Sequence, residues 1–155
     1  FAVAGWLNRL LQFETGRARP ATEGCARDPG YDEICRSPQL NASFPSGHTL
    51  GIATAAGLTC VHHRHLPLYG HPAADGGICA AMIVGTVATG LTRVIGERHH
   101  VSDVVVGAAL GFAVGYGLPR LLHYRSGPRD DTPPGWTVLP LGGVSMVGVG
   151  FAGAL

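Results

Sequence analysis

From Gly77 to Ile95 the sequence is apolar and carries no charge until Arg93. That run approaches the roughly 20 residues an α-helix needs to cross the hydrocarbon core of a bilayer, and few other folds accommodate it. A second apolar segment, from about Val101 to Leu122, places glycines at 107, 111, 115 and 117, small residues that let helices approach closely in lipid. Composition agrees, with 46% of the 155 residues hydrophobic and 14% charged, and a mean hydropathy of +0.22. The chain reads as an all-α helical bundle, embedded in a membrane. A soluble bundle is the alternative, because the apolar segment after His48 is short for a span. The length suits one domain with a real core rather than two. A formal net charge of +1, no basic run and 7% aromatic residues argue against a nucleic-acid partner.

Punctuation along the chain divides it further. Residues 1 to about 14 read as the end of an apolar helix that Gly16 and Pro20 stop, so further helices are expected upstream of Phe1. The stretch from Ala21 to Phe44, rich in Pro, Gly and charge, reads as a loop. A helix opens near Ser46 and runs to Val61, and Pro67, Gly70 and Pro72 mark the turn after it. Residues 1–125 form the expected helical domain. Residues 126–135 read as a linker, and the Gly-rich tail to 155, where Gly142 and Gly143 separate two apolar stretches, as a short β-hairpin without a readable role. Cys25 and Cys35 lie in the polar loop, where a disulfide and two free thiols are both open readings. Cys60 and Cys79 sit in apolar surroundings and read as buried, unreactive thiols.

Three short segments carry the chemistry: Gly16-Arg17-Ala18-Arg19-Pro20, Ser43-Phe44-Pro45-Ser46-Gly47-His48, and Thr92-Arg93 followed by His99 and Asp103. The planar forks of Arg19 and Arg93 suit phosphate oxygens; Arg17 reads equally well as a solvent-exposed side chain. His99 and Asp103 are four apart, so a helix reaching back to His99 puts them on one face, with the carboxylate bonded to one ring nitrogen and the other nitrogen free to attack. Pro45-Ser46-Gly47-His48 opens a helix whose free N–H groups attract an anion. There Gly47 permits close backbone approach and the Ser46 hydroxyl adds a hydrogen bond. His62, His63 and His65, with His100, raise the thought of a metal, but no Cys or carboxylate pattern completes a site, so no metal or other cofactor is expected.

In order and spacing these segments resemble the signature of the type-two phosphatidic acid phosphatase superfamily, Lys-x6-Arg-Pro, Pro-Ser-Gly-His and Ser-Arg-x5-His-x3-Asp. Two positions depart from it: Gln12 stands where the family has lysine, and Thr92 where it has serine. The resemblance implies that His99 is a nucleophile that becomes phosphorylated, that His48 is the acid and later the base, and that Asp103 orients His99. It also implies that Arg19, Arg93, Ser46, Gly47 and Gln12 bind phosphate. The implied partners are a membrane and a lipid phosphate monoester or pyrophosphate, hydrolysed without metal. Gln12 brings no charge, so Arg9, one turn earlier, is the compensating cation or phosphate affinity falls. A protein of this fold that binds lipid phosphate without turnover is the alternative, and a vanadate-dependent haloperoxidase the more distant one. The motifs fall at one end of the helices and His62, His63, Arg64, His65, Arg120, His123 and Arg125 at the other. The positive-inside tendency then points the site outward, toward the periplasm or exterior if the membrane is a bacterial inner one.

Overall fold

The structure is a computed structural model that describes residues 1–124, 136–143 and 146–153. The chain divides into two compact units, Phe1–Arg125 and Ser126–Leu155. The first is all helical, as expected. Helix α1 (Ala2–Thr15) ends at Gly16, whose φ of 52° lies in the left-handed region and whose N–H bonds the Gln12 carbonyl.

The segment read as a loop instead contains helix α2 (Thr22–Arg27) and two 3₁₀ turns, Glu33–Arg36 and Pro38–Asn41. The side chains of Asp32 and Ser37 cap those turns by accepting from the N–H groups of Ile34 and Gln39. Such short turns are set by single capping side chains rather than by hydrophobic periodicity, so the composition of the stretch masks them. A Cys25–Cys35 disulfide closes the segment on itself. Arg98 pairs with Asp32 at 2.8 Å, and the Tyr31 hydroxyl donates to Glu97 at 2.9 Å. Those two contacts fasten it to the link between the last two helices.

Helices α3 (Gly47–His65), α4 (Pro72–Ile95) and α5 (Val101–Leu122) make the bundle. α3 is its centre, burying Leu50, Ala53, Ala56, Cys60 and Val61. Three glycines of α5 spaced four apart, Gly107, Gly111 and Gly115, lie against the α3 backbone. A side-chain carbon at Gly107 would come within 2.7 Å of the Ser46 carbonyl oxygen, and carbons at Gly111 and Gly115 would collide with the carbonyls of Leu50 and Thr54. Gly117, off this stripe, faces open space. The outward faces are apolar: Ile83, Val84, Val87, Leu91 and Ile95 on α4, and Val101, Val105, Leu118 and Leu122 on α5. Among the described residues, α4 and α5 are the two helices long and apolar enough to cross a membrane.

Cys60 and Cys79 are joined in a disulfide that ties α3 to α4, which corrects the reading of two free thiols. Their apolar flanks signal burial, but only the packing of the two neighbouring helices brings their Cα atoms to 4.7 Å. Beyond that bridge, His63 Nδ1 meets Asp75 Oδ1 at 2.6 Å, a second tie between the same helices.

The second unit holds the expected hairpin, with β1 (Trp136–Gly143) antiparallel to β2 (Met146–Gly153). Its register pairs Gly143 with Met146 and Pro140 with Val149, so Gly142 and Gly143 belong to a strand rather than to the connection. The expected linker at 126–135 lies outside the described residues.

Candidate active site

His99 sits in the short link between α4 and α5, 2% exposed. The link is held at its root, because the N–H groups of Arg98 and His99 both donate to the carbonyl of Arg93, at 3.0 and 3.2 Å. The ring is oriented by the Ser43 carbonyl, whose oxygen lies 2.6 Å from Nδ1. A carbonyl can only accept, so Nδ1 carries the proton and Nε2 presents its lone pair. Nε2 faces Nη1 of Arg19 at 3.4 Å. Burial, reinforced by the charge of Arg19 and opposed by the Ser43 bond, pushes His99 down to about 4, so the imidazole is neutral at physiological pH.

Asp103 does not bond that ring. α5 begins at Val101 with His100 as its cap, which leaves His99 outside the helix and its Nδ1 3.8 Å from Asp103 Oδ2, beyond hydrogen-bond reach. The buried carboxylate is instead filled by three other donors: Arg17 Nη1 at 2.7 Å, Ser43 Oγ at 2.6 Å and the His100 N–H at 2.9 Å.

Arg19 is nearly buried and spends three of its five donors on backbone carbonyls: Nε on Gln39 at 2.9 Å, Nη1 on Arg98 at 2.8 Å and Nη2 on Ala42 at 3.2 Å. These bonds fix the guanidinium plane, turn the second N–H of Nη1 toward His99 Nε2 and leave one N–H on Nη2. Arg93, in the last turn of α4, has a buried Nε with no hydrogen-bond partner among the described residues. Partial burial and then the charges of Arg93 and Arg19 hold His48 below the ordinary histidine value.

His48, in the first turn of α3, lines a cavity of about 1010 Å³ together with His99, Arg19, Gly47 and Gln12. Gly47 is tightly placed, since a side-chain carbon there would press on Asn8 Nδ2 at 3.0 Å. Gln12 donates to the Pro45 carbonyl at 3.2 Å, and Arg9 lines the same wall. Ser46 is not brought to the cavity. It is fully buried, its hydroxyl pairs with that of Thr49 at 3.0 Å and its N–H donates to the Asp103 carbonyl. The Thr92 hydroxyl likewise bonds within its own helix, to the Thr89 carbonyl at 2.8 Å.

The sequence pattern gave no role to Ser43 or Asn8 and left Arg17 open between phosphate and solvent; the structure turns its guanidinium to Asp103 with the side chain still 39% exposed. Ser43 opens the second segment and Arg17 lies in the first, but nothing in a linear pattern separates a hydroxyl or guanidinium turned inward from one facing water. Asn8, a turn before Gln12, lines the cavity with a buried Oδ1 that lacks a partner among the described residues. The histidines weighed as a metal site are dispersed: His62 and His65 engage Tyr124, His63 engages Asp75, and His100 lies near the Ala18 carbonyl. Among the described residues no group of three or more His, Cys, Asp or Glu side chains is placed to hold a metal ion.

A neutral buried histidine, a second histidine and the fixed guanidinium of Arg19 thus meet at one end of an apolar helical bundle, beside a helix N-terminus. The family model of the PAP2 superfamily matches residues 1–126, and the chain belongs to that superfamily. Among curated proteins it is similar to a probable diacylglycerol pyrophosphate phosphatase 1 of Schizosaccharomyces pombe (strain 972 / ATCC 24843), 31% identical over 83 residues. That match covers 52% of this chain and 30% of the relative, so the chain corresponds to under a third of that protein's length. No solved structure matches the chain.

Proposed function

We propose that this chain carries the site of a phosphatase that hydrolyses a lipid phosphate monoester or pyrophosphate through a phosphohistidine on His99. The observation that carries the reading is the His99 ring, neutral, with Nδ1 committed to the Ser43 carbonyl and Nε2 directed at Arg19. In the first step Nε2 attacks phosphorus, a P–N bond forms and the bond to the leaving oxygen breaks, with the proton for that oxygen coming from His48. In the second, His48 takes a proton from water, the hydroxide displaces the histidine, and inorganic phosphate leaves with His99 neutral again. Arg19, Arg93 and the first N–H groups of α3 offset the charge on the phosphoryl oxygens as it builds. The unpartnered Nε of Arg93 suits an anion, because a buried donor without an acceptor is costly until one arrives.

A lipid substrate is supported by the apolar outer faces of α4 and α5 and by the name of the yeast relative. With those helices spanning a membrane, the basic end at His63, Arg64 and His65 lies on the cytoplasmic side and the site opens on the other. In a bacterial inner membrane that side is the periplasm.

The test is release of inorganic phosphate from a panel of detergent-dispersed lipid phosphates and soluble phosphomonoesters, with chelator present, comparing the native chain with His99→Ala. Release that disappears in the variant is expected and ranks the substrates. A folded native chain that binds lipid phosphate but releases none would favour the binding-only alternative.

A further inference from the structure

The carboxylate of Asp103, the hydroxyl and N–H of Ser43 and the guanidinium of Arg17 form a closed ring. Arg17 Nη1 donates to Asp103 Oδ1 at 2.7 Å, Ser43 Oγ donates to Asp103 Oδ2 at 2.6 Å, and the Ser43 N–H donates back to the Arg17 carbonyl at 2.9 Å. Ser102 Oγ accepts from the same Arg17 nitrogen at 2.8 Å, and the His100 N–H shares Asp103 Oδ2. Ser43 and Asp103 are both fully buried. The three residues come from three separate segments of the chain, and the ring anchors Ser43 by its side chain and N–H, the residue whose carbonyl accepts the His99 Nδ1 proton.

We infer that Ser43 and Arg17 are positioning residues, and that Asp103 acts on His99 through this clamp rather than by touching its ring. The inference rests on the reading of His99 as nucleophile. Without the Ser43 hydroxyl, Asp103 Oδ2 keeps only the His100 N–H, and the Ser43 carbonyl loses a side-chain anchor although it stays in the chain. The loss falls on the direction of the Nε2 lone pair, hence on kcat rather than on KM. A charge-assisted hydrogen bond of this kind corresponds to roughly ten- to a hundredfold in rate when all of it serves positioning.

The experiment compares native protein, Ser43→Ala, Asp103→Asn, their double variant, Arg17→Ala, Arg17→Lys and His99→Ala. It uses phosphate release from the best lipid phosphate of the panel, with circular dichroism to confirm helix content. Ser43→Ala and Asp103→Asn are expected to lower kcat by similar factors at near-native KM. The double variant should be little worse than either, because both break one ring, and Arg17→Lys should recover much of what Arg17→Ala loses. A native kcat in Ser43→Ala beside an inactive His99→Ala overturns the clamp and leaves the nucleophile standing. Full activity in His99→Ala overturns both.

A readout independent of turnover is the His99 ring proton in NMR. In native protein the Nδ1–H should be slow to exchange, and in Ser43→Ala and Arg17→Ala faster by about tenfold or more. Unchanged exchange in both variants overturns the clamp whatever the activity.

Discussion

His99 Nδ1 lies 2.6 Å from the carbonyl oxygen of Ser43, while the nearest oxygen of Asp103 stands 3.8 Å away. The ring is therefore oriented by main chain, and the carboxylate four residues on is occupied with Arg17, Ser43 and the start of α5. Main-chain orientation fixes the tautomer without placing a second charge against the ring, so burial dominates the protonation of His99 and keeps it neutral.

A dependence of stability on pH follows. The folded value of His99, about 4, lies below the ordinary 6.5. The unfolded chain therefore takes up this proton first as pH falls, and the contribution present above 6.5 is lost progressively down to about 4. The full span is on the order of 3 kcal/mol. Thermal unfolding in detergent from pH 7.5 to 4 should show a steeper acid loss for the native chain than for His99→Asn. Parallel curves would contradict the burial described for His99.

The glycine stripe of α5 predicts a contrast within one helix. Gly111→Ala and Gly115→Ala each drive a methyl group into an α3 carbonyl and should destabilise by about 1–3 kcal/mol, read as a lower unfolding temperature. Gly117→Ala meets nothing and should be neutral or slightly stabilising, by up to about 1 kcal/mol from helix propensity alone.

The fold was largely legible because apolar length and small-residue spacing are one-dimensional signals, and α3, α4 and α5 follow from them. That His48, His99 and Arg19 line one cavity was legible in the spacing of three short segments. What escaped reading depends on direction in space. The Cys60–Cys79 bridge needs the relative placement of two helices, and the inward turn of Arg17 and Ser43 needs the buried Asp103 they serve. The 3₁₀ turns before Phe44 depend on the single capping contacts of Asp32 and Ser37.

The Cys60–Cys79 bridge closes a segment with a sequence separation of 19, which by chain entropy contributes about 3 kcal/mol. A Cys60→Ala/Cys79→Ala variant should unfold at lower temperature than the native chain, and added reductant should lower the native value by more than the variant's, whose remaining bridge is Cys25–Cys35. Equal unfolding temperatures without reductant would show that the bridge adds nothing to the tie that His63 and Asp75 already make.

Gln12 lines the cavity beside His48 and His99 but brings hydrogen-bond donors without charge. Gln12→Lys should strengthen phosphate-ester binding, seen as a KM lower by several-fold, with the gain shrinking as salt is raised. An unchanged or higher KM would mean that Arg9, on the same wall, already supplies the charge.

The central claim is that His99 Nε2 becomes phosphorylated. The most direct measurement is peptide mapping by mass spectrometry after an alkaline quench of His48→Ala mixed with an aryl phosphate, whose leaving group departs without a proton, since loss of the base that activates water should then let the intermediate accumulate. The account predicts an acid-labile, alkali-stable phosphoryl group on His99, absent from His99→Ala. Steady release of phosphate by the native chain with His99 never labelled, or a label on another residue, would contradict it.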